Sequence, residues 1–250
     1  MKLLGLIGYP LSHSFSKKYF SEKFEKEQIK NFTYQNFPLS DINEFPDLLM
    51  SNNRLSGLNV TSPYKESVIK FLNKLDTTAA EAGAVNTVKI IRNKSGKIFT
   101  TGYNTDIFGF KESLKKQLTP YIKNALILGT GGAAKAVAAA LKQLKIKFKF
   151  VSGTKKNDNT LFYEDLTEND IIENRLIINA TPLGMNKLKG EKPNIPYHFI
   201  SNKHLLFDLV YNPSVTPFLS EGVSRNAKIK NGLEMLHLQA EKAWQIFISP

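Results

Sequence analysis

The stretch Ala125-Leu-Ile-Leu-Gly129-Thr130-Gly131-Gly132-Ala133-Ala134 decides how the rest of the chain is read. Its first four residues make a short buried strand, and the alanine-rich run over 133–144 reads as a helix. Between them Gly129 permits a tight turn, and Gly131 lets the backbone approach a pyrophosphate. Ala134 stands where close helix packing needs a small residue. The helix N-terminus then offers N–H groups and partial positive charge to phosphates. Glycines at this spacing say little alone; a strand before and a helix after raise them to a dinucleotide-binding turn. The competing reading is a Gly-rich loop with a packing role only.

Downstream, 146–151, 176–179 and 205–209 read as further strands, a βαβ series that implies a parallel doubly wound sheet. Upstream, strands are expected over 3–8, 32–37 and 55–60, with helices over 14–28, 41–50 and 65–72. The runs 85–91 and 97–102 make a hairpin, so this layer should be a mixed sheet. The fold class is therefore α/β with two domains. Residues 1–105 form an α/β substrate-binding and catalytic domain with a mixed sheet, and 106–232 form a Rossmann-like, parallel-sheet nucleotide domain. An amphipathic helix over 233–248 carries Leu236, Ala240, Ala243 and Phe247 on one face and should return to complete the first domain.

A chain of 250 residues suits two modest domains, and 42% hydrophobic residues suffice for their cores. Cysteine is absent, which excludes disulfide frameworks, thiolate metal sites and cysteine nucleophiles. The four histidines have no ligand spacing, so no metal is expected. No apolar run nears the roughly 20 residues of a membrane helix, and the opening MKLLGLIGYP is too short in apolar residues for a secretory signal. A cytoplasmic protein, monomer or homodimer, working on small molecules and not on membranes, is expected. The net charge of +12 comes from diffuse lysine; only Arg54, Arg92, Arg175 and Arg225 are arginines. Arginine is the residue of base and phosphate readout, so its scarcity argues against nucleic acid. A positive field suits an anionic substrate or cofactor.

The choice of nucleotide is made at the end of the next strand, in Phe150-Val-Ser152-Gly153-Thr154-Lys155-Lys156. NAD sites place an acid there for the ribose hydroxyl. None occurs before Asp158, and the hydroxyls of Ser152 and Thr154 with Lys155 favour a 2′-phosphate, hence NADP. Three polar clusters follow strands of the first half: Ser12-His-Ser14-Phe-Ser16, Asn59-Val-Thr61-Ser-Pro63-Tyr-Lys65, and Asn86-Thr87 with Asn104-Thr105-Asp106. Each alone could be a turn or a helix cap. A lysine at the start of a helix is electrostatically disfavoured, however, which points to function. Together they suit a polyhydroxylated acid: neutral side chains bind hydroxyls, and a Lys–Asp pair moves a proton.

These clusters resemble the motifs of the shikimate dehydrogenase family. The resemblance runs from about residue 5 to 247 with every block in order. It implies that Ser14 and Ser16 bind the substrate carboxylate, that Asn59, Thr61 and Asn86 bind substrate, that Lys65 is catalytic, and that Asp106 is its partner and touches substrate. Gly129, Thr130, Gly131, Gly132 and Ala133 resemble the family's cofactor turn. Asn179-Ala-Thr181-Pro-Leu-Gly184-Met185 resembles the segment beside the cofactor. In Asp208-Leu209-Val-Tyr211 the tyrosine would contact substrate and Leu209 the cofactor. Gly232 would border the nicotinamide and Gln239 bind substrate. The implied activity is reversible NADPH-dependent reduction of 3-dehydroshikimate to shikimate, a step toward chorismate and aromatic amino acids. Two features depart from the family: Lys17 follows the second serine where proline is common, and Ser152-Gly153-Thr154 stands for Asn-Arg-Thr, removing the arginine that clamps the 2′-phosphate. An NAD-using quinate/shikimate dehydrogenase and a catalytically idle NADP-binding regulator on the same fold are the alternatives.

Overall fold

In the computed structural model, residues 1–11, 15–154 and 159–250 are described, with Asn186 described by its backbone alone. The chain divides into two compact units, residues 1–105 with 240–250, and residues 106–239.

The first unit opens with β1 (Lys2–Gly8), α1 (Phe15–Lys26) and β2 (Phe32–Pro38), followed by α2 (Phe45–Ser51) and β3 (Leu55–Val60). β4 (Lys74–Leu75), α3 (Thr77–Ala82), β5 (Thr87–Arg92) and β6 (Ile98–Tyr103) complete its sheet. Strand order is β2-β1-β3-β5-β6-β4. β1 lies parallel to both β2 and β3, whereas β5 runs antiparallel to β3 and β6, so the sheet is mixed. One face packs Ile7, Leu58, Val68 and Val88. The other packs Leu4, Leu6, Phe20 and Tyr34 with Ala240, Ala243, Trp244 and Phe247. The C-terminal residues thus share a core with β1 and α1: Trp244 meets Phe32 edge-on at 4.9 Å, and Phe247 lies over Gly57, where a Cβ would sit 2.4 Å from its ring. Burying each such aromatic contributes about 2 kcal/mol.

The second unit contains α4 (Thr105–Lys115, from Asp106 on), β7 (Asn124–Leu128), α5 (Gly132–Gln143), β8 (Lys147–Ser152) and β9 (Thr160–Phe162). α6 (Glu168–Glu173), β10 (Leu176–Asn179), β11 (Leu205–Asp208), α7 (Pro217–Val223) and β12 (Lys228–Lys230) follow. α8 (Leu233–Ile248) closes the chain, its residues through Gln239 grouping with this unit and those from Ala240 with the first. Strand order is β12-β11-β10-β7-β8-β9, and every pairing is parallel. The chain builds outward from β7 through β8 to β9, then crosses to β10 on the other side, which makes the end of β7 the topological switch point where such sheets bind ligands.

Two expected helices differ. The run over 41–50 splits into a 3₁₀ turn Ile42–Glu44, capped by Asp41, and α2. The run over 65–72 forms only a 3₁₀ turn, Ser67–Phe71. Pro63 supplies no N–H and excludes Ser62 from helical backbone, so no helix can start before it.

Candidate active site

Three segments distant in sequence are tied together at one end of the first sheet. The Val60 N–H donates to Asn86 O at 2.8 Å, and the Val85 N–H donates to Lys65 O at 2.7 Å. Asn104 Nδ2 donates to Ala84 O at 2.9 Å, and the Thr105 N–H donates to Asn86 Oδ1 at 2.7 Å. Thr61 is fastened through its N–H to Ile7 O at 2.9 Å, and its methyl fills the space a Cβ on Gly8 would need. Asp106 is buried in the second unit, and in the first Asn59, Asn86, Thr87 and Thr105 are buried. Buried polar groups persist only when hydrogen-bonded, and these bond chiefly to one another: Asn59 Nδ2 to Thr87 Oγ1 at 3.2 Å, Thr87 Oγ1 to Asn86 Oδ1 at 3.1 Å, and Asn86 Nδ2 to Thr105 Oγ1 at 2.9 Å.

Lys65 is in a turn held by Tyr64 N–H to Thr61 O and Val68 N–H to Tyr64 O, each 3.0 Å. It does not open a helix, so the expectation of a lysine opposed by a helix dipole is corrected; its carbonyl is fixed by Val85 instead. Asp106 follows Thr105 in the first turn of α4. Ser16 lies in the first turn of α1 and is half-buried, while Ser14 falls outside the described residues. Sequence reasoning missed Tyr34, whose hydroxyl donates to Asn59 Oδ1 at 2.9 Å. A tyrosine among strand apolars reads as core, and nothing local marks it otherwise.

In the second unit Gly129 adopts φ +105°, a backbone open to glycine at little cost, and a Cβ there would press on Thr181 and the Ala180 carbonyl. Gly131 caps α5 without a side-chain hydrogen bond, and open space lies where its Cβ would be. Thr130, Gly132 and Ala133 are half-exposed. The turn therefore fits a pyrophosphate against the first N–H groups of α5. At the end of β8, Ser152 is buried and accepts from the Thr154 N–H at 3.2 Å, closing a small turn, while Gly153 and Thr154 are exposed. Lys155 and Lys156 fall outside the described residues.

A second polar network orders the loops after β10 and β11. Asn179 Oδ1 accepts from the Thr181 hydroxyl at 2.6 Å and the Thr181 N–H at 3.0 Å. Asn179 Nδ2 and the Val210 N–H donate to Asp208 Oδ1 at 3.0 and 2.9 Å, and the Thr216 hydroxyl donates to Oδ2. Leu209 is pinned between them, and a Cβ on Gly232 would fall 2.1 Å from its carbonyl, so only glycine permits that approach. Burial pushes the Tyr211 phenol up. Gln239 is buried on α8 with Nε2 donating to Leu236 O at 3.0 Å. Among the described residues no group of His, Asp and Glu could hold a metal ion, and no helix is long and apolar enough to cross a membrane.

A parallel sheet with a glycine-rich turn at its switch point, joined to a mixed-sheet unit with a buried polar cluster beside a lysine, defines a Rossmann-like nucleotide-binding protein of two α/β units. The model of the shikimate dehydrogenase substrate binding domain matches residues 6–88. The NADP(+) shikimate dehydrogenase of Methanococcus vannielii is 36% identical over 98% of this chain and 90% of its own. A crystal structure of shikimate dehydrogenase from Peptoclostridium difficile superposes with TM-score 0.82 at 35% identity, covering 99% of this chain and 91% of that one. The shikimate 5-dehydrogenase of Thermus thermophilus, solved with NADP(H) and shikimate, gives TM-score 0.84 at 29% identity over 99% and 94%. The chain belongs to the shikimate dehydrogenase family.

Proposed function

We propose that this chain catalyses the reversible NADP-dependent interconversion of 3-dehydroshikimate and shikimate, on the route to chorismate. The observation that carries the reading is the hydrogen-bonded convergence of 59–65, 84–87 and 102–105, which supplies neutral donors and acceptors beside Lys65. The related NADP(+) enzymes support this cofactor over the NAD-using alternative.

When bound, the nicotinamide supplies or takes the hydride at the substrate's ring carbonyl carbon. Lys65 Nζ gives or takes the proton on that carbonyl's oxygen, and Asp106 balances and orients it. Ser14 and Ser16 hold the substrate carboxylate; Asn59, Thr61, Asn86, Tyr211 and Gln239 hold its hydroxyls. Gly129, Thr130, Gly131, Gly132 and Ala133 would hold the pyrophosphate, Ser152, Thr154 and Lys155 would bind the adenosine phosphate, and Thr181, Leu209 and Gly232 would hold the nicotinamide. The first unit is the substrate domain, the second the nucleotide domain, and the enzyme works in the cytoplasm as monomer or homodimer. Lys65→Ala should lower turnover roughly 10²–10⁴-fold with NADP affinity nearly unchanged. Turnover within a factor of a few of the wild type would remove Lys65 from the chemistry.

A further inference from the structure

Tyr34 sits on β2, the edge strand, directly opposite Leu4 of β1. Its ring stacks on Phe20 with centroids 4.7 Å apart and planes 11° from parallel, inside an otherwise apolar cluster. Phenylalanine would fill that volume equally well, so packing does not explain the hydroxyl. The hydroxyl reaches over β1 and donates to Asn59 Oδ1 on β3 at 2.9 Å.

The amide it meets is held at its other end as well. Asn59 Nδ2 donates to Thr87 Oγ1 at 3.2 Å and to Asn86 O at 3.4 Å. Thr87 donates to Asn86 Oδ1, which also receives the Thr105 N–H, and Asn86 Nδ2 donates to Thr105 Oγ1. The Thr105 N–H can only donate and the Asn86 carbonyl can only accept, so Asn86 Oδ1 and Asn59 Nδ2 are assigned by the backbone, and Asn59 Oδ1 is left for the phenol. An amide's two ends are nearly the same shape, so its orientation is decided by its partners. Burial pushes the Tyr34 phenol up, which keeps it a neutral donor across the working pH range.

We propose that Tyr34 is a positioning residue for substrate: its hydroxyl holds Asn59 Oδ1 and so keeps the Asn59 amide in place to meet substrate. It acts through Asn59, to which the functional reading above gives a substrate contact, and it rests on that reading.

The test is steady-state kinetics of shikimate oxidation by Tyr34→Phe, Asn59→Ala and the double variant, with Tyr197→Phe as comparator. Tyr197 is also a buried phenol, but its hydroxyl donates to the Pro193 carbonyl in the second unit. Tyr34→Phe should raise the KM for shikimate roughly tenfold, the weight of one buried hydrogen bond, with kcat and the KM for NADP within about twofold. In the Asn59→Ala background the same change should matter less than about twofold, because its route is gone. Tyr197→Phe should shift thermal stability alone. An unchanged shikimate KM in Tyr34→Phe, or effects of the two substitutions that simply multiply, overturns the proposal. Wild-type protein that turns over no shikimate would overturn the functional reading itself, a result seen before any variant is compared.

Discussion

At Asp208 three hydrogen-bond donors meet a carboxylate that is wholly buried. The donors favour the charged form, yet burial outweighs them and pushes the carboxyl from 3.8 up to about 6. The folded protein therefore takes up this proton at higher pH than the unfolded chain does. The resulting stability is fully present below about pH 3.8 and is lost as pH rises through 6. That difference corresponds to at most about 3 kcal/mol. Urea unfolding of wild type and Asp208→Asn from pH 4 to 7 should show the wild type gaining on the variant as pH falls. Parallel curves would mean that Asp208 does not titrate in this range. Single residues stand out in the sequence as candidates where a motif exposes them, as with Asn59, Lys65, Asn86 and Asp106. Asp208 and Tyr34 were not legible in these roles, because what matters is a partner brought up from another strand.

The turn after β8 is the element to which the proposed function assigns the choice of cofactor. Ser152 spends its oxygen on the Thr154 N–H, so this hydroxyl already has a local duty. Gly153 is exposed, and a Cβ there meets nothing within 4 Å. A side chain can therefore be added without strain, and arginine offers a bidentate fork where lysine offers a point charge. Gly153→Arg should raise the preference for NADP over NAD in kcat/KM roughly tenfold, and make it less sensitive to salt than the wild-type preference. A ratio unchanged at low and high ionic strength would show that this turn does not face the 2′-phosphate. The long helices were readable from periodicity and two strands from their apolar runs: α8 and β10 match their expected bounds, and α5 and β8 shift by a residue. The short ones were not. α3, α6 and α7 have six or seven residues, too few for a period, though their caps were written in the sequence as Asp76, Thr167 and Thr216. Two-residue and three-residue strands such as β4 and β12 are set by the neighbour they pair with, which no local pattern reveals.

Across the whole molecule, the return of the C-terminal residues to the first unit is held by Tyr19 and Lys23 on Glu241 and by Trp244 and Phe247 in the core. Of the expected stripe Leu236, Ala240, Ala243 and Phe247, the last three share a core with β1 and α1, joined by Trp244, whereas Leu236 groups with the second unit. The chain passes from one compact unit to the other after Thr105, where a hairpin has ended and a helix begins. The diffuse charge of +12 suits an anionic substrate and an anionic cofactor. The central claim is the pairing of one polyol acid with one nucleotide. Its most direct test is initial rates with shikimate or quinate, each crossed with NADP or NAD. The highest kcat/KM should fall on shikimate with NADP; a higher value for quinate with NAD, or no turnover with any pair, would contradict the account.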